Sequence, residues 1–325
     1  MILTDPQGRR INYLRLSVTD RCNLRCSYCM PAEGIPRLLH EDILSYEDLH
    51  RIASQAIALG FEKIRITGGE PLVRKGVVGF LQKLATIPGL SELVLTTNGL
   101  LLREMAAELR QAGVQRLNVS LDSLNPETFA RITRGGDLKQ VLDGLEAAEQ
   151  AGFSPLKLNV VVLRGMNDDE ILDFVALALN KALTVRFIEY MPTINGPNWT
   201  KLWVSGKEIL ERIERRYKLQ PLDLADRAGP ARSFRIAGTD GTVGVISPMS
   251  GHFCTQCNRI RITSTGLAKG CLFADSGVDM KPYLRASDDI LREALREIVT
   301  SKPAQHHLES SPQAHASFCM AQIGG

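Results

Sequence analysis

Short apolar runs alternate with amphipathic stretches through the first two thirds of the chain. The runs are rich in β-branched residues and predict strands at Tyr13–Thr19, Lys63–Thr67, Leu93–Thr97, Arg116–Asp122, Leu156–Leu163 and Thr184–Met191. Some, such as Leu158–Leu163, are almost continuously apolar, as expected of parallel strands covered on both faces. Six β/α units in about 200 residues predict an α/β fold, an incomplete (β/α)6 TIM-type barrel. A doubly wound open sheet stays open as the competing architecture.

Helix starts and a change of pattern divide the chain. Ser45 and Ser205 are predicted N-caps. After the polar connector Pro221–Arg232, two short runs predict a hairpin, and Ser287–Val299 predicts a last helix. We therefore expect a barrel over residues 1–232. Residues 233–325 would form a smaller C-terminal region that ends in a flexible tail.

Composition and charge exclude several classes of protein. The chain has 325 residues, 44% apolar and 23% charged, with a net charge of +3. This balance is too mild for a protein that coats nucleic acid, and no apolar run is long enough to span a membrane. The first residues do not resemble a secretion signal, so we expect a reducing, cytoplasmic location. Seven cysteines cannot all pair within one chain, and in such a compartment they favour metal binding or catalysis.

The first cysteine group follows the first predicted strand. Cys22, Cys26 and Cys29 are spaced C-x3-C-x2-C, on a loop that would lie at the mouth of the barrel, where active sites are found. Three thiolates select zinc or an iron–sulfur cluster. The spacing alone leaves open a zinc loop with a distant fourth ligand, or three unligated thiols.

The surrounding residues resemble the radical S-adenosylmethionine (SAM) superfamily. Its signature has an aromatic residue before the third cysteine, here Tyr28, and Thr67–Pro71 matches a second motif of the superfamily. The resemblance implies a [4Fe-4S] cluster on the three cysteines, with one open iron that takes SAM. The SAM-binding residues that it implies are Tyr28, Gly68, Gly69, Glu70, Thr96, Ser120 and Met191.

A second cysteine group lies near the C-terminus. Cys254, Cys257 and Cys271 are spaced C-x2-C-x13-C. The spacing favours a zinc knuckle with His252 as fourth ligand. However, a second three-thiolate cluster with an open iron would also explain the missing cysteine.

Together the two groups resemble one family within the superfamily, the GTP 3′,8-cyclases of molybdenum cofactor (molybdopterin) biosynthesis. The other matching stretches are Leu14–Cys22, Arg186–Met191, Asn258–Arg261 and Gly324–Gly325. The resemblance spans the chain and implies a lyase with two [4Fe-4S] clusters. In this family a 5′-deoxyadenosyl radical from SAM removes hydrogen from C3′ of GTP. The carbon radical then attacks C8, giving (8S)-3′,8-cyclo-7,8-dihydroguanosine 5′-triphosphate.

Basic residues on the predicted strands suit a triphosphate. Lys63 and Arg65 are two residues apart and share one face of a strand, while Lys157 and Arg186 come from other strands. Cations converging inside a barrel are costly without a counter-anion. They could instead pair with acidic residues elsewhere, but the resemblance assigns them to the triphosphate, with Thr67 assisting.

A separate basic group accompanies the second cysteines. Arg259 and Arg261 share one face of an extended segment. The resemblance places them with Arg15 around the guanine and ribose, where they bind substrate and assist catalysis. It also implies that the terminal Gly324 and Gly325 enter the active site.

The tail from Ser301 onward is rich in small and polar residues. We interpret Cys319 as a non-ligand thiol, and His306 and His307 as solvated residues. The implied partners are GTP, an electron donor, and cyclic pyranopterin monophosphate synthase as the next enzyme; a homodimer stays open, and neither nucleic acid nor membrane is expected. Two other functions remain alternatives: a radical SAM peptide-modifying enzyme and a non-catalytic zinc or nucleotide-binding protein.

Overall fold

A computed structural model describes residues 3–36, 38–180, 183–192, 199–222, 229–274, 276–306 and 319–324. Its strands are β1 (Tyr13–Ser17), β2 (Lys63–Thr67), β3 (Glu92–Thr97), β4 (Arg116–Ser120), β5 (Leu156–Val162), β6 (Leu183–Glu189), β7 (Leu219–Leu222), β8 (Arg232–Ile236), β9 (Thr242–Ile246), β10 (Arg259–Ile262), β11 (Leu267–Lys269) and β12 (Val278–Asp279). Its α-helices are α1 (Tyr46–Ala58), α2 (Val77–Ala85), α3 (Leu102–Gln111), α4 (Pro126–Thr133), α5 (Leu138–Gln150), α6 (Ile171–Asn180), α7 (Trp199–Leu202), α8 (Gly206–Glu214), α9 (Asp288–Thr300) and α10 (Met320–Ile323).

The strands form one sheet with a parallel centre. Strands β1 to β6 are parallel and adjacent in chain order. The C-terminal third extends both edges, with β9 parallel beside β6 and β10 parallel beside β1. Beyond them, β8 and β7 continue one edge and β11 and β12 the other, all antiparallel. The predicted incomplete (β/α)6 barrel is therefore confirmed.

The two faces of the strands have different surroundings, as β2 shows. Ile64 and Ile66 are fully buried in the main hydrophobic core, which packs between the sheet and the helices. Lys63, Arg65 and Thr67 alternate with them and face the inside of the barrel, where they line a cavity. The predicted separation of basic and apolar residues on this strand is confirmed, and the basic face is the inner one.

Both predicted N-caps are present. The Ser45 side chain accepts from the Asp48 backbone N–H, and Asp48 returns a contact to the Ser45 backbone, which completes a capping box before α1. The Ser205 side chain accepts from the Glu208 backbone N–H before α8. The Glu208 carboxylate accepts instead from Arg164 and Arg212, so it joins an ion-pair network.

The C-terminal third differs in detail from the prediction. The hairpin is present as antiparallel β8 and β9. Both ends of the expected connector belong to strands: Pro221 and Leu222 to β7, an edge strand where a missing N–H is tolerated, and Arg232 to β8. Residues 223–228 lie outside the described residues. Among the described helices, none is both long and apolar enough to cross a membrane. No observation tests the predicted domain division, which stays a prediction.

Candidate active site

One cavity of about 300 Å³ occupies the inside of the barrel. It is lined by both groups of cysteines and by the ends of the parallel strands. The predicted site residues that line it are Arg15, Cys22, Cys26, Tyr28, Cys29, Lys63, Arg65, Thr67, Gly68, Gly69, Glu70, Thr96, Ser120, Arg186, Met191, Cys254, Cys257, Arg259, Arg261 and Cys271. The structure thus brings together residues that lie up to 256 positions apart in sequence, from Arg15 to Cys271 (271 − 15 = 256).

The loop that carries the first cysteines packs closely on the loop after β2. A Cβ atom at Gly68 would lie 2.7 Å from the Thr19 carbonyl oxygen, and one at Gly69 only 2.4 Å from that of Arg21. The Gly69 N–H donates to the Thr19 carbonyl at 2.8 Å, which joins the two loops. The two glycines are therefore required for this approach between loops, in addition to any contact with a ligand.

Burial and negative charge surround the first thiols. Burial raises the pKa of Cys22 to about 11. Burial and repulsion from Cys22 raise the pKa of Cys29 to about 12. The Cys26 pKa is raised by burial and by the nearby Asp122 carboxylate. Bound cations are the ordinary means by which such thiols become thiolates, since a metal replaces the proton.

Two buried carboxylates support this end of the cavity. Glu70 is 1% exposed and accepts from the Thr97 hydroxyl at 2.8 Å and from the Asn98 backbone N–H at 2.7 Å. Asp122 accepts from the Tyr28 hydroxyl at 2.8 Å. Burial raises the pKa of Glu70 to about 7 and that of Asp122 to about 6. These bonds hold the ends of β2, β3 and β4 in place beside the cysteine loop.

Several polar atoms in the cavity wall lack partners within the described residues. The Thr96 hydroxyl and the Asn159 side-chain oxygen are buried with no hydrogen bond. Buried polar groups are normally satisfied, and such atoms indicate a place for a ligand. Ser120 and Met191, the other predicted SAM contacts on strand ends, line the same cavity. The polar groups near the first cysteines therefore fit SAM. The contact of each residue with SAM stays a prediction.

Three arginines lie side by side on the adjacent strands β10, β1 and β2. Arg15 on β1 is in register with Arg65 on β2 and with Arg261 on β10. Like charges directly opposite each other on neighbouring strands are destabilising. Burial and the neighbouring arginines lower the pKa of Arg15 well below its usual value. This row therefore stores repulsion that an anion inside the barrel would relieve.

A second row of side chains lies two residues earlier on the same three strands. It includes a tyrosine that was not predicted as a site residue. Tyr13 on β1 is in register with Lys63 on β2 and Arg259 on β10. Its hydroxyl is buried, with no hydrogen-bond partner among the described residues. The Lys63 ammonium lies 5.1 Å from its ring centre and 2.6 Å from the Glu92 carboxylate. Lys63 therefore has the acidic partner that the alternative reading allowed, while it still lines the cavity.

The remaining cations extend this group toward β6. Lys157 does not line the cavity, yet burial and the charges of Arg186 and Arg116 lower its pKa to about 6. Burial and the charge of Arg65 lower the pKa of Arg186 to about 10. Arg116, which forms a 2.8 Å ion pair with Glu92, was not predicted. Lys63, Arg65, Arg116, Lys157 and Arg186 with one carboxylate have a formal sum of 5 − 1 = +4.

At the second cysteine group, Cys257 lies beside two cations. Although burial alone would raise it, the charges of Arg259 and Lys302 lower the pKa of Cys257 to about 7. The Arg259 guanidinium also lies 5.1 Å from the ring centre of Phe253. Lys302 was not predicted as a site residue. Its signal in the sequence is weak, because a lysine in a polar tail usually lies in water.

The spacing of the sulfur atoms bears on which metal each site can hold. One tetrahedral zinc keeps its sulfur ligands about 3.8 Å apart. Among the described residues, neither cysteine group has three sulfurs within 4.8 Å of one another. The compact group found there is His252, Cys254 and His306, which leaves out two of the second cysteines. That compact group therefore does not account for Cys257 and Cys271.

The described end of the tail lies against the first cysteines. The Met320 backbone N–H donates to the Cys29 carbonyl at 3.3 Å, and the Cys319 charge contributes to the raised pKa of Cys29. Gly324 has a φ of +78°, and a Cβ there would lie 2.8 Å from the side chains of Ser17 and Thr67. Gly324 therefore reaches the ends of β1 and β2. Gly325 lies outside the described residues.

The prediction of a solvated His306 is wrong. Its ring is partly buried, packs 4.7 Å from the ring centre of His252 and 5.1 Å from that of Phe273, and lines the cavity. Its Nε2 lies 3.0 Å from the Pro248 carbonyl oxygen. The sequence gives no sign of this packing, which arises from tertiary contacts. His307 lies outside the described residues.

Comparison with known proteins extends these observations. The family model of the radical SAM superfamily matches residues 16–178, and the model called Molybdenum Cofactor Synthesis C matches residues 183–308. A GTP 3′,8-cyclase of Geobacter sulfurreducens is 62% identical over 326 residues, covering 100% of both chains. A protein of the same name from Peptoclostridium acidaminophilum is 49% identical, covering 100% of this chain and 98% of its own.

Solved structures share the fold at low identity. Streptococcus suis SuiB matches with a TM-score of 0.62 and 13% identity, over 88% of this chain and 67% of its own. SuiB bound to its precursor peptide SuiA gives a TM-score of 0.61 at 15% identity, over 91% of this chain and 67% of its own. At such identity these likenesses show the fold alone.

Proposed function

Because the chain belongs to the GTP 3′,8-cyclase family of the radical SAM superfamily, we propose that it converts GTP to (8S)-3′,8-cyclo-7,8-dihydroguanosine 5′-triphosphate. This is the first step of molybdenum cofactor biosynthesis. The observation that carries the proposal is the in-register row of Arg15, Arg65 and Arg261, which lies inside one cavity with both cysteine groups.

The first cysteine site holds the cofactors of the reaction. Cys22, Cys26 and Cys29 would hold one [4Fe-4S] cluster, and the second cysteine group the other. When bound, the first cluster and SAM supply the 5′-deoxyadenosyl radical. Thr96 and Asn159 have buried polar atoms to offer a ligand there. Glu70 and Asp122 keep the strand ends rigid, so that SAM meets a preformed wall.

The cationic wall holds and orients GTP. Lys63, Arg65, Lys157 and Arg186, with Thr67, bind the triphosphate, while Arg15, Arg259 and Arg261 position the nucleoside near the second cysteines. A formal charge of +4 at the phosphate end matches the roughly four negative charges of GTP. Fixing C3′ and C8 of one nucleotide converts ring closure into an oriented intramolecular step. The buried barrel also excludes water from the carbon radical.

The described tail supports a role in the same site. Gly324 contacts the side chains of Ser17 and Thr67, and Thr67 also lines the cavity. We assign Gly324 and Gly325 to the substrate end, since residues without side chains fit where a Cβ would collide. The barrel over residues 1–232 then supplies the SAM site and the triphosphate-binding residues, and the C-terminal region over 233–325 adds the second cysteines with Arg259 and Arg261.

The partners follow from the chemistry. One electron is needed to start each SAM cleavage, so an electron donor of the cell must reach the first cluster. The cyclised nucleotide still carries a triphosphate and needs a further rearrangement, which suits cyclic pyranopterin monophosphate synthase as the next enzyme. We expect the protein to act in the cytoplasm, where thiols stay reduced.

Anaerobic reconstitution tests the proposal. The purified chain is incubated with GTP, SAM and dithionite, and the products are separated by mass. We expect the cyclised nucleotide and 5′-deoxyadenosine, from a brown protein with about eight iron atoms per chain. A colourless protein with stoichiometric zinc and no iron would support the zinc alternative. Formation of 5′-deoxyadenosine only with a peptide substrate would support the peptide-modifying alternative.

A further inference from the structure

A buried cation lies at the second cysteine site and has no role in the steps above. Lys302 follows α9 and is 3% exposed. Its ammonium donates to Cys257 Sγ at 3.4 Å, to the Arg259 carbonyl at 3.0 Å and to the Gly270 carbonyl at 2.5 Å. An ammonium has three protons, so these three acceptors satisfy it completely.

The counter-charges of this ammonium are sulfur atoms. Among its three acceptors, the one that becomes an anion when it ligates a metal is the Cys257 sulfur, 3.4 Å from the ammonium. A buried charge is costly unless it is paired. The pairing is therefore complete only when the cysteines are anionic, as they are when they ligate a metal.

The chain is shaped to bring Lys302 to this position. Gly270 directly precedes the third cysteine of the site, and a Cβ on it would lie 3.1 Å from the Lys302 Cα. That distance is tighter than ordinary packing, so a larger residue at this position would push the two segments apart. The close approach connects the end of α9 to the loop of Cys271.

Arg9 provides an internal comparison. It also anchors the segment after α9, because it donates to the Pro303 carbonyl at 2.8 Å and the Cys254 carbonyl at 2.7 Å. It has its own carboxylate partner, Asp5, at 2.5 Å. Arg9 thus joins the segment after α9 to the loop of the second cysteines, as Lys302 does. It does so through backbone oxygens, and its charge is balanced by Asp5 and not by sulfur.

We propose that Lys302 is a positioning residue of the second cluster, an inference that rests on the proposed function. Its charge and its N–H···S bond stabilise the anionic sulfurs, retain the cluster and raise its reduction potential, since the reduced cluster is the more negative one. Its bond to the Arg259 carbonyl fixes the start of β10, and thereby the strand that carries Arg259 and Arg261 toward the substrate.

The test compares Lys302→Met with Lys302→Arg and Arg9→Met. Each is made in the full chain and in a Cys22→Ala background, in which the second cluster is expected to be the one that remains. Iron per chain is measured, and the cluster is titrated by electron paramagnetic resonance. For Lys302→Met we expect the ratio of reduced to oxidised cluster at a fixed potential to fall at least about tenfold, or 59 mV.

Lys302→Arg keeps a charge and N–H donors, so it should restore most of that ratio. Arg9→Met should leave the ratio unchanged, because Arg9 does not touch sulfur. Loss of second-site iron in Lys302→Met but not in Arg9→Met would also support the proposal. An unchanged ratio in an iron-loaded Lys302→Met, or equal loss of iron in both variants, would overturn it.

Failure of the proposed function has a different signature. The wild-type chain would then form no cyclised nucleotide, or would hold zinc and no iron at the second site. A wild-type chain that makes the product, together with a Lys302→Met variant of unchanged potential, contradicts the role of Lys302 alone.

Discussion

The two cysteine sites each have three cysteines, but they differ in the charges around them. At the first, burial and neighbouring anionic groups raise the pKa of Cys22 to about 11 and of Cys29 to about 12. At the second, burial raises the pKa of Cys254, whereas Arg259 and Lys302 outweigh burial at Cys257 and lower its pKa to about 7. Both sites open into one cavity, and both offer three cysteines. The difference in thiol pKa therefore comes from the residues around the cysteines.

The difference matches the two small molecules that the family uses. SAM carries an ammonium and a sulfonium, and the wall beside the first cysteines contains the Asp122 and Glu70 carboxylates. GTP is a polyanion, and Arg259, Arg261 and Lys302 lie beside the second cysteines. One barrel can thus bind SAM beside the first cysteines and GTP beside the second, because the charges at each site disfavour the other ligand.

Removing one cysteine from each site should separate the two functions, and this is the largest effect we expect. Cys22→Ala should abolish SAM cleavage, because the open iron is lost. Cys257→Ala should retain formation of 5′-deoxyadenosine yet lose the cyclised nucleotide. Both products are measured by mass after an anaerobic reaction. Persistent 5′-deoxyadenosine in Cys22→Ala would contradict the assignment of the first site.

Removing one cation from the second wall should impair substrate use without affecting iron. Arg259→Ala is expected to lower turnover of GTP by about 100-fold, since a positioned donor is lost from a buried site. Iron content should stay at the wild-type value. Arg296→Ala, on the exposed side of α9 and paired with Glu293, is the matched control and should behave as wild type. Normal turnover in Arg259→Ala would refute its role.

The pKa of Lys157 predicts how the cationic wall responds to pH. In the empty site burial and nearby cations lower this pKa to about 6, whereas a bound triphosphate favours the charged form. The affinity for GTP should therefore fall as the pH rises from about 6, and the fall should be smaller in Lys157→Met. Equilibrium binding between pH 6 and pH 9 checks this. Identical pH profiles would contradict the prediction.

The same pKa has a consequence for stability without ligand. An unfolded lysine titrates near about 10.4, so between the folded and unfolded values the unfolded chain binds more protons and stability rises with pH. Folding must therefore bury or deprotonate this ammonium, which costs free energy near neutral pH. Lys157→Met avoids that cost, so its free energy of unfolding should be larger than that of wild type. Lys139→Met, which removes an exposed lysine, should show no such gain. Denaturation in phosphate-free buffer measures the difference.

The smallest effect that we expect is on GTP affinity, after a change at Glu92, the carboxylate that lies among the cations. Glu92 pairs with Lys63 at 2.6 Å and with Arg116 at 2.8 Å, and it competes with the phosphates for both. Glu92→Gln should raise the affinity for GTP by about threefold, in line with the modest strength of partly exposed ion pairs. Calorimetric titration would detect this. A lower affinity would mean that Glu92 orients Lys63 for the substrate instead.

Much of this architecture could be predicted from local sequence signals. The limits of β2 agree with the prediction at both ends, because its apolar and basic residues alternate cleanly. For β1 the prediction ran to Thr19, two residues beyond Ser17, because Thr19 is still β-branched. There the chain leaves the sheet, and the Thr19 carbonyl accepts from Gly69. This contact joins two loops that are far apart in sequence, and no local pattern encodes it.

The missed residues share one property, since their importance depends on distant neighbours. Tyr13 resembles an ordinary core aromatic residue until β2 and β10 place Lys63 and Arg259 on either side of it. Lys302 lies in a polar stretch, and its contacts with Cys257, Arg259 and Gly270 bury it. The cysteine motifs, by contrast, are local and could be located from spacing alone.

The way the C-terminal third joins the sheet also affects biosynthesis of the chain. On the ribosome, the six parallel strands emerge first, with β1 and β6 as exposed edges that invite pairing with other chains. Those edges are covered only when β9 and β10 are made, and β10 arrives more than 200 residues after β1, its partner. The nascent barrel should therefore depend on chaperones until its final third is translated.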